Sequence, residues 1–264
     1  MDADAAGRAA DLLLAARRDG RRMAALPDDC RPADAAAAYR IQNLFVERMQ
    51  AEYGGEVIGY KAGCTNRGAQ AQLGLTAPFA GVLLSAFCRP ALAEISCRDG
   101  FMRMIEAEIA FRLGRDLPPA GAPYDAASVV PALAAALPAV EVVDSRYDDW
   151  TTAGAPHLIA DNACTGFWVH GEEITDLAGL EFADHPVLVR RNGQPAERGS
   201  SANVLDNPLN VVAWLANHQA AAGRSLRAGQ LLTTGTLIAV NPAERGDEVE
   251  ADFGALGSVT VRFT

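Results

Sequence analysis

Residues 103–113 alternate between apolar and polar side chains, in the sequence RMIEAEIAFRL. Ile105 and Ile109 fall on one side of this run, whereas Glu106 and Glu108 fall on the other. A period of two predicts a β-strand with one buried face. The two carboxylates would then lie roughly 7 Å apart on one face. Paired carboxylates usually recruit a cation or a proton, although a solvated strand face accounts equally well for the alternation.

The N-terminal part of the chain follows helical spacing instead. Apolar residues at intervals of three and four predict helices over 4–25 and 35–52, and Asp34 is a suitable N-cap for the second. Beyond them the pattern is mainly that of strands. We therefore predict a helical region over 1–55 and a β-rich body over 56–264, joined as one continuous globular unit.

Short apolar runs and turn residues mark the elements of the body. Asn192–Gly193 separates two alternating runs, which is typical of a type I′ hairpin. Asn207–Pro208 is a cap followed by proline and predicts a helix to about residue 222. Because strands and helices do not alternate regularly, the fold class is α+β. The other predicted elements are strands over 56–61, 139–144, 163–170, 231–234, 248–253 and 258–263, and helices over 67–73 and 125–137.

Composition and charge exclude several classes of partner. The chain has 264 residues, half of them hydrophobic, and a net charge of −10. Because it has no basic run, nucleic acid and anionic membranes are poor partners. Its five cysteines form no CxxC pair, and no apolar run approaches the ~20 residues that span a bilayer. We expect reduced thiols and a cytoplasmic location.

A third carboxylate stands in another apolar strand. Glu141 lies between Val140 and Val142, where a lone glutamate would be costly to bury without a partner. Three carboxylates suit a hard cation such as Mg²⁺ or Mn²⁺. They do not suit zinc, which prefers histidine and cysteine. Glu106, Glu108 and Glu141 are therefore candidate metal ligands.

Lys61 is the only lysine among 23 basic residues, and the other 22 are arginines. Unlike arginine, a lysine can lose its charge on burial and act as an acid or a base. A functional role for Lys61 is therefore favoured over that of an incidental surface residue.

Two glycine-containing segments carry hydroxyl groups near strand ends. Asp161 and Asn162 precede Cys164 and Thr165, and Thr236 follows Gly235. Hydroxyls and exposed backbone NH groups at such positions commonly hold a carboxylate. Cys164 is a potential nucleophile, but no histidine lies near it in sequence, so an inert buried thiol is the favoured interpretation.

With these residues the chain resembles the hydratase and decarboxylase branch of the fumarylacetoacetate hydrolase superfamily. The similar segments keep the order of the family through nearly the whole chain. They are AYRIQ (38–42), GYKAGCT (59–65), QLGL (72–75), IEAEIA (105–110), VEVVDSR (140–146), DNA (161–163), NPLNVVAWLA (207–216), AGQLLTTG (228–235) and residues 246–263.

The resemblance implies a mixed β-sheet roll or barrel with a helical N-terminal region. It implies that the three glutamates hold Mg²⁺ or Mn²⁺, which a 2-oxo acid chelates, and that Lys61 and Glu106 are catalytic. The residues expected to contact the substrate are Lys61, Phe79, Leu83, Asp161, Cys164, Thr165 and Thr236.

The activity implied by the resemblance is hydration of a 2-hydroxydienoic acid, such as 2-hydroxypenta-2,4-dienoate, in aromatic-compound catabolism. Decarboxylation of a 2-oxo acid, tautomerisation and C–C hydrolysis are alternatives within the superfamily. A keto-acid-binding homologue without turnover is the alternative outside enzymes. Members of the branch form homo-oligomers, often pentamers or decamers, and we expect one here.

Phe79 departs from the pattern of the family. It stands in the segment Ala77–Gly81, where the family usually has an acidic residue that works with the lysine and water. The serine that follows DNA in the family is also replaced, leaving Cys164 and Thr165. Both changes bear on the specific reaction more than on the fold or the metal. They leave a diverged activity on a bulkier, more apolar substrate as a further alternative, for which Phe79 would line the pocket.

Overall fold

The computed structural model of the protein describes the backbone of residues 1–264 and every side chain except that of Gln72. The helices are α1 (Ala3–Asp19), α2 (Ala35–Tyr53), α3 (Arg67–Gln72), α4 (Ala126–Val129), α5 (Trp150–Ala153), α6 (Ala155–Ala160) and α7 (Pro208–Ala221). The strands are β1 (Val57–Gly63), β2 (Phe79–Leu84), β3 (Cys88–Pro90), β4 (Ala93–Ile95), β5 (Met104–Leu113), β6 (Leu133–Val143), β7 (Thr165–His170), β8 (Pro186–Arg191), β9 (Gln194–Ser200), β10 (Leu231–Thr233), β11 (Asn241–Pro242), β12 (Glu248–Asp252) and β13 (Ser258–Phe263).

The predicted N-terminal helices are present, but the first one is shorter. The Asp2 side chain caps α1 by accepting from the Ala5 NH group. The helix ends at Asp19 because Gly20 adopts a left-handed conformation at φ 62°. The prediction that it continues to residue 25 is therefore wrong. Asp34 caps α2 as predicted, by accepting from the Ala37 NH group. No helix in the described chain is long and apolar enough to cross a membrane.

Two mixed sheets confirm the α+β class. The larger sheet has the order β2-β1-β10-β5-β6-β7-β3, with β11 paired to β5. The smaller sheet has the order β4-β13-β12-β8-β9. Asn192 and Gly193 have φ angles of 52° and 76°, which confirms the type I′ interpretation of the turn between β8 and β9.

The two faces of β5 have different surroundings. Ile105 and Ile109 belong to an apolar core that includes Val249 of β12 and Val212 of α7. The opposite face of β5 carries Glu106, Glu108 and Ala110. Ala110 belongs to a second, small apolar cluster whose buried members are Leu83, Ala110, Leu137, Ala139 and Trp168. This cluster forms the floor beneath the glutamates.

The helix predicted over 125–137 is wrong in its second half. The helix α4 ends at Val129, and a 3₁₀ turn that includes Pro131 leads directly into β6. Leu133–Leu137 then pairs with β5, beginning with Leu133 opposite Leu113. Pairing across the sheet overrides the helical propensity of this alanine-rich run.

Candidate metal and substrate site

The register between β5 and β6 brings the three glutamates together. Glu106 lies directly opposite Glu141, and Glu108 lies two residues along β5, opposite Ala139. One carboxylate oxygen from each glutamate lies within 4.8 Å of the other two. Glu108 and Glu141 are fully buried, whereas Glu106 is half-buried and lines a cavity. Like charges directly opposite each other destabilise a sheet unless something neutralises them.

Hydrogen bonding leaves part of this cluster without partners. The Thr233 hydroxyl donates to Glu108 Oε2. Glu108 Oε1 and Glu141 Oε2 are buried and have no hydrogen-bond partner among the described residues. Burial and the neighbouring Glu141 raise the pKa of Glu106 to about 7. Burial, Glu141 and Glu106 raise the pKa of Glu108 well above its ordinary value. This all-oxygen set of donors fits a hard divalent cation, which would satisfy both unpartnered oxygens.

Lys61 completes the charged cluster from β1. Its ammonium donates to Glu141 Oε1 at 2.5 Å and to the Ala163 carbonyl oxygen at 2.9 Å. Burial by itself would lower the pKa of Lys61, but Glu141, Glu106 and Glu108 raise it above its ordinary value. Lys61 is therefore a buried ammonium that lies beside the carboxylates.

A left-handed turn presents the Ala163 carbonyl to Lys61. Asn162, Ala163 and Cys164 all have positive φ angles, between 50° and 58°. Such a run of non-glycine residues is costly and persists only where the surroundings enforce it. Because the left-handed turn occupies residues 162–164, β7 begins at Thr165, two residues later than predicted.

Buried side chains hold this turn on both sides. The Asn162 side chain exchanges two hydrogen bonds with the backbone of Val82, at 2.8 and 2.9 Å. On the other side, the fully buried Arg146 pairs with Asp161 and donates to the Thr165 carbonyl oxygen at 3.2 Å. Sequence reasoning missed Arg146, although it lies in the family-like segment VEVVDSR and is a charged residue beside an apolar strand.

A cavity of about 460 Å³ opens onto the cluster. Of the residues predicted to contact substrate or metal, its wall includes Lys61, Phe79, Glu106, Cys164 and Thr236. Glu108 and Glu141 are not part of this wall, but each has a carboxylate oxygen within 4.8 Å of one on Glu106. The wall also includes residues that the sequence did not single out, such as Cys64, Met102, Met104, Trp150, Leu158 and Asn203.

Three predicted contact residues are not brought to the cavity wall. Leu83 shares a face of β2 with Phe79 but lies further along the strand, in the floor cluster. Asp161 is fully buried and uses both carboxylate oxygens on Arg146 and Ser145. The Thr165 hydroxyl is buried and donates to the Asn162 carbonyl oxygen at 2.7 Å.

The Cys164 thiol has the environment of an inert group. Burial, followed by the charge of Asp161, raises its pKa above the ordinary value. The protonated thiol is a poor nucleophile. The geometry therefore favours Cys164 as part of the wall.

The chain is similar in sequence to known enzymes over nearly its whole length. A family model described as "Fumarylacetoacetate (FAA) hydrolase C-terminal" matches residues 76–264. A TodF product hydratase of Pseudomonas putida is 36% identical over 256 residues, covering 97% of this chain and 94% of its own. The 2-keto-4-pentenoate hydratase 1 of Dechloromonas aromatica is 33% identical, with 97% and 95% coverage.

A solved structure is similar over the whole fold. It is 4-oxalocrotonate decarboxylase from Pseudomonas putida G7 complexed with magnesium and adipate, with a TM-score of 0.94 and 29% identity. The match covers 100% of this chain and 99% of that one. The same decarboxylase complexed with calcium and acetate gives a TM-score of 0.91. These matches confirm the expected mixed-sheet architecture with its N-terminal helices.

Proposed function

The chain belongs to the fumarylacetoacetate hydrolase family, and from this membership we propose that it is a metal-dependent hydratase (a lyase). Its substrate would be a 2-hydroxydienoic acid such as 2-hydroxypenta-2,4-dienoate, formed in the breakdown of aromatic compounds. The relatives named as hydratases, at 33–36% identity over nearly the whole chain, support this reaction. The observation that carries the proposal is the buried carboxylate triad beside a single buried lysine.

Glu106, Glu108 and Glu141 would hold the Mg²⁺ or Mn²⁺ ion. Their donors are all oxygens, and two of the buried oxygens have no hydrogen-bond partner among the described residues. When bound, the ion would act as a Lewis acid that stabilises negative charge on a substrate oxygen. Glu106 faces the cavity, so the open side of the site is the side from which substrate would approach.

Lys61 would move the proton that hydration requires. Converting a dienol to its keto form transfers a proton from oxygen to carbon and makes the distal alkene electrophilic, so that water can add. The Lys61 ammonium reaches the cavity wall and is oriented by Glu141 and by the Ala163 carbonyl oxygen. A positioned acid or base of this kind contributes about 10²–10⁴-fold to a rate.

Cys164, Phe79 and Thr236 would line the substrate pocket. Thr236 lies on the polar part of the cavity wall, and its hydroxyl bonds both backbone groups of Ile238, at 3.1 and 3.2 Å. Phe79 cannot donate a proton or activate water. In this chain, water would therefore be positioned without an acid at residue 79.

Decarboxylation of a 2-oxo acid is the second candidate. The magnesium- and adipate-bound decarboxylase has a TM-score of 0.94, and a curated 4-oxalocrotonate decarboxylase of Pseudomonas putida is 33% identical over 86% of this chain. The same stabilisation of charge beside the carbonyl would serve loss of CO₂. Phe79, which replaces a group associated with water, favours this alternative.

The test is turnover of freshly generated 2-hydroxypenta-2,4-dienoate by the Mg²⁺-loaded protein. We expect loss of the dienol absorbance with formation of a hydrated 2-oxo acid, and no turnover by the Glu108→Gln variant. CO₂ release from 4-oxalocrotonate without hydration of the dienol would favour the decarboxylase. Metal binding without either reaction would identify a silent keto-acid-binding homologue.

Assembly and location remain predictions. A homo-oligomer, as a pentamer or decamer, is what the resemblance implies, and light scattering of the purified protein would measure it. The cytoplasmic location and the division into residues 1–55 and 56–264 are proposals of the same kind.

A further inference from the structure

We propose that the substrate of this site is a monocarboxylic acid whose far end is a bulky apolar group rather than a second carboxylate. The inference rests on the proposed function for the end of the substrate that binds the metal. The rest of the substrate is inferred from the size of the cavity, from the residues of its wall and from the charges that these residues carry.

The cavity is larger than the volume that a five-carbon acid would fill. Its volume of about 460 Å³ lies in the range of roughly 300–1,000 Å³ that encloses drug-sized ligands. A small dienoic acid bound at Glu106 and Lys61 would leave much of this space unfilled. A longer or aromatic tail would fill it and remove apolar wall from water.

One side of the cavity is a continuous apolar surface. Phe79 and Leu158 are buried members of one hydrophobic cluster, and Leu73, Val143 and Trp150 pack against it. All five residues also line the cavity. Because they come from separate segments but pack together, they form a single wall, the apolar wall, rather than scattered contacts.

Several polar residues of the cavity wall lie close to one another, outside the hydrophobic cluster of the apolar wall. The Thr65 carbonyl oxygen accepts from the Leu205 NH group at 3.1 Å, and Asn66 Nδ2 donates to the Asn203 carbonyl oxygen at 3.5 Å. Gly235 packs so closely on Thr65 that an added Cβ would lie 2.0 Å from the hydroxyl oxygen. Together with Thr236 these residues form one polar side. The separation of the two sides predicts a ligand with one polar end and one apolar end.

The charges argue against a second acid group on the ligand. Among the described side chains that line the cavity, Lys61 is the only cation, and Glu141 and the Ala163 carbonyl oxygen already engage it. The other charged lining group, Glu106, is an acid that would repel a carboxylate. A second substrate carboxylate against the apolar wall would be buried without a partner, which is strongly unfavourable.

The Phe79 ring occupies space that its neighbour across the strand pair leaves open. Phe79 pairs with Gly63, and a Cβ at Gly63 would lie 2.6 Å from a carbon of the Phe79 ring. The missing side chain at Gly63 therefore makes room for the ring. We infer that Phe79 and Trp150 determine specificity for the tail.

The test is calorimetric binding to the Mg²⁺-loaded protein of saturated 2-oxo acids, which cannot be hydrated. The series is 2-oxopentanoate, 2-oxooctanoate, 5-phenyl-2-oxopentanoate and the diacid 2-oxoadipate. We expect the phenyl compound to bind about tenfold or more tightly than 2-oxopentanoate, because a buried ring contributes more than 1.4 kcal/mol. We expect 2-oxoadipate to bind most weakly.

Substitutions at Trp150 and Phe79 test whether the apolar wall causes this preference. Trp150→Ala should reduce the ratio of the phenyl-acid affinity to the 2-oxopentanoate affinity at least fivefold. Trp214→Ala is the matched control, because Trp214 lies on α7 and stacks on His218 away from the cavity. Phe79→Arg adds a cation to the apolar wall and should reverse the order of the phenyl acid and the diacid. Phe79→Asp adds a second negative charge instead and should weaken the binding of the diacid further.

The outcomes separate this inference from the proposed function. If the diacid binds as tightly as 2-oxopentanoate, or if the phenyl group gives no gain, the inference is wrong while the proposed function stands. If Mg²⁺ binds but none of the 2-oxo acids does, the proposed function is wrong and the inference falls with it.

Discussion

The Lys61 ammonium donates at once to Glu141 Oε1, at 2.5 Å, and to the Ala163 carbonyl oxygen, at 2.9 Å. Glu141 belongs to the carboxylate triad, and Ala163 belongs to the left-handed turn before β7. The only lysine of the chain therefore links the candidate metal site to the segment that forms part of the cavity wall. A change at either end of this link should alter the position of the ammonium.

Replacing Lys61 separates its charge from its capacity to transfer a proton. Lys61→Arg retains a cation that does not deprotonate in proteins. Turnover of the dienoic acid should fall at least about 10²-fold. Lys61→Met should also lower the free energy of unfolding, by about 3–5 kcal/mol, because it leaves a buried carboxylate without its cation. Initial rates and urea unfolding measure the two effects. An Arg variant with near-normal rates would exclude Lys61 as the proton-transfer group.

The Glu108→Gln variant tests the metal site without relying on activity. A glutamine oxygen can still accept from Thr233, so the local hydrogen bond to the hydroxyl remains possible. The native protein should be stabilised by about 2.7 kcal/mol when Mg²⁺ exceeds its dissociation constant a hundredfold. The variant should lose this gain, and its unfolding midpoint without metal should be equal or higher, because one buried acid has been removed. Equal Mg²⁺-induced shifts in both proteins would contradict the assignment of the triad.

The sequence predicts only part of the carboxylate cluster. Glu106 and Glu108 share a face because the period of a strand is a local property, and alternation along 103–113 was sufficient to predict it. The opposition of Glu106 and Glu141 depends on the register of β5 against β6. Register is set by burial and turn geometry over the whole sheet, so apolar runs suggested Glu141 as a third ligand without giving its position.

Three features that the sequence did not predict have a similar cause. The alanine-rich run at Leu133–Leu137 has the composition of a helix, and only its pairing with β5 makes it a strand. Leu83 and Phe79 occupy one face of β2, but the curled sheet sends one to the floor cluster and the other to the cavity wall. The left-handed turn at 162–164 contains no glycine from which its conformation could be predicted. In each case the conformation is imposed by contacts that are distant in sequence.

The buried Arg146–Asp161 pair should be important for stability and for the position of the turn. Asp161→Asn leaves the Arg146 guanidinium buried without its counter-ion, which typically costs about 3–5 kcal/mol. The exposed pair Arg67–Asp206 offers a matched control, and Asp206→Asn should change the free energy of unfolding only slightly. Urea unfolding of both variants measures the difference. If the two asparagine variants were equally stable, the pair would not be what holds the turn.

His157 should make stability depend on pH below its ordinary pKa. The ring is buried on α6 with Nε2 unpartnered among the described residues, and it packs edge-on against Tyr147. Burial, followed by the charge of Arg31, lowers its pKa from 6.5. The unfolded chain therefore takes up a proton at a higher pH than the folded chain does. The contribution to stability is complete above about pH 6.5 and is lost as the pH falls toward the folded-state pKa.

The variant His157→Gln isolates this contribution from that of the carboxylates. The free energy of unfolding, measured at pH 7.5 and pH 5.5, should fall less between the two values in the variant than in the native protein. His218 also has a pKa lowered by burial, so the double variant with His218→Gln should flatten the dependence further. Parallel pH profiles of native protein and single variant would show that the ring at 157 takes up its proton equally well in the folded chain.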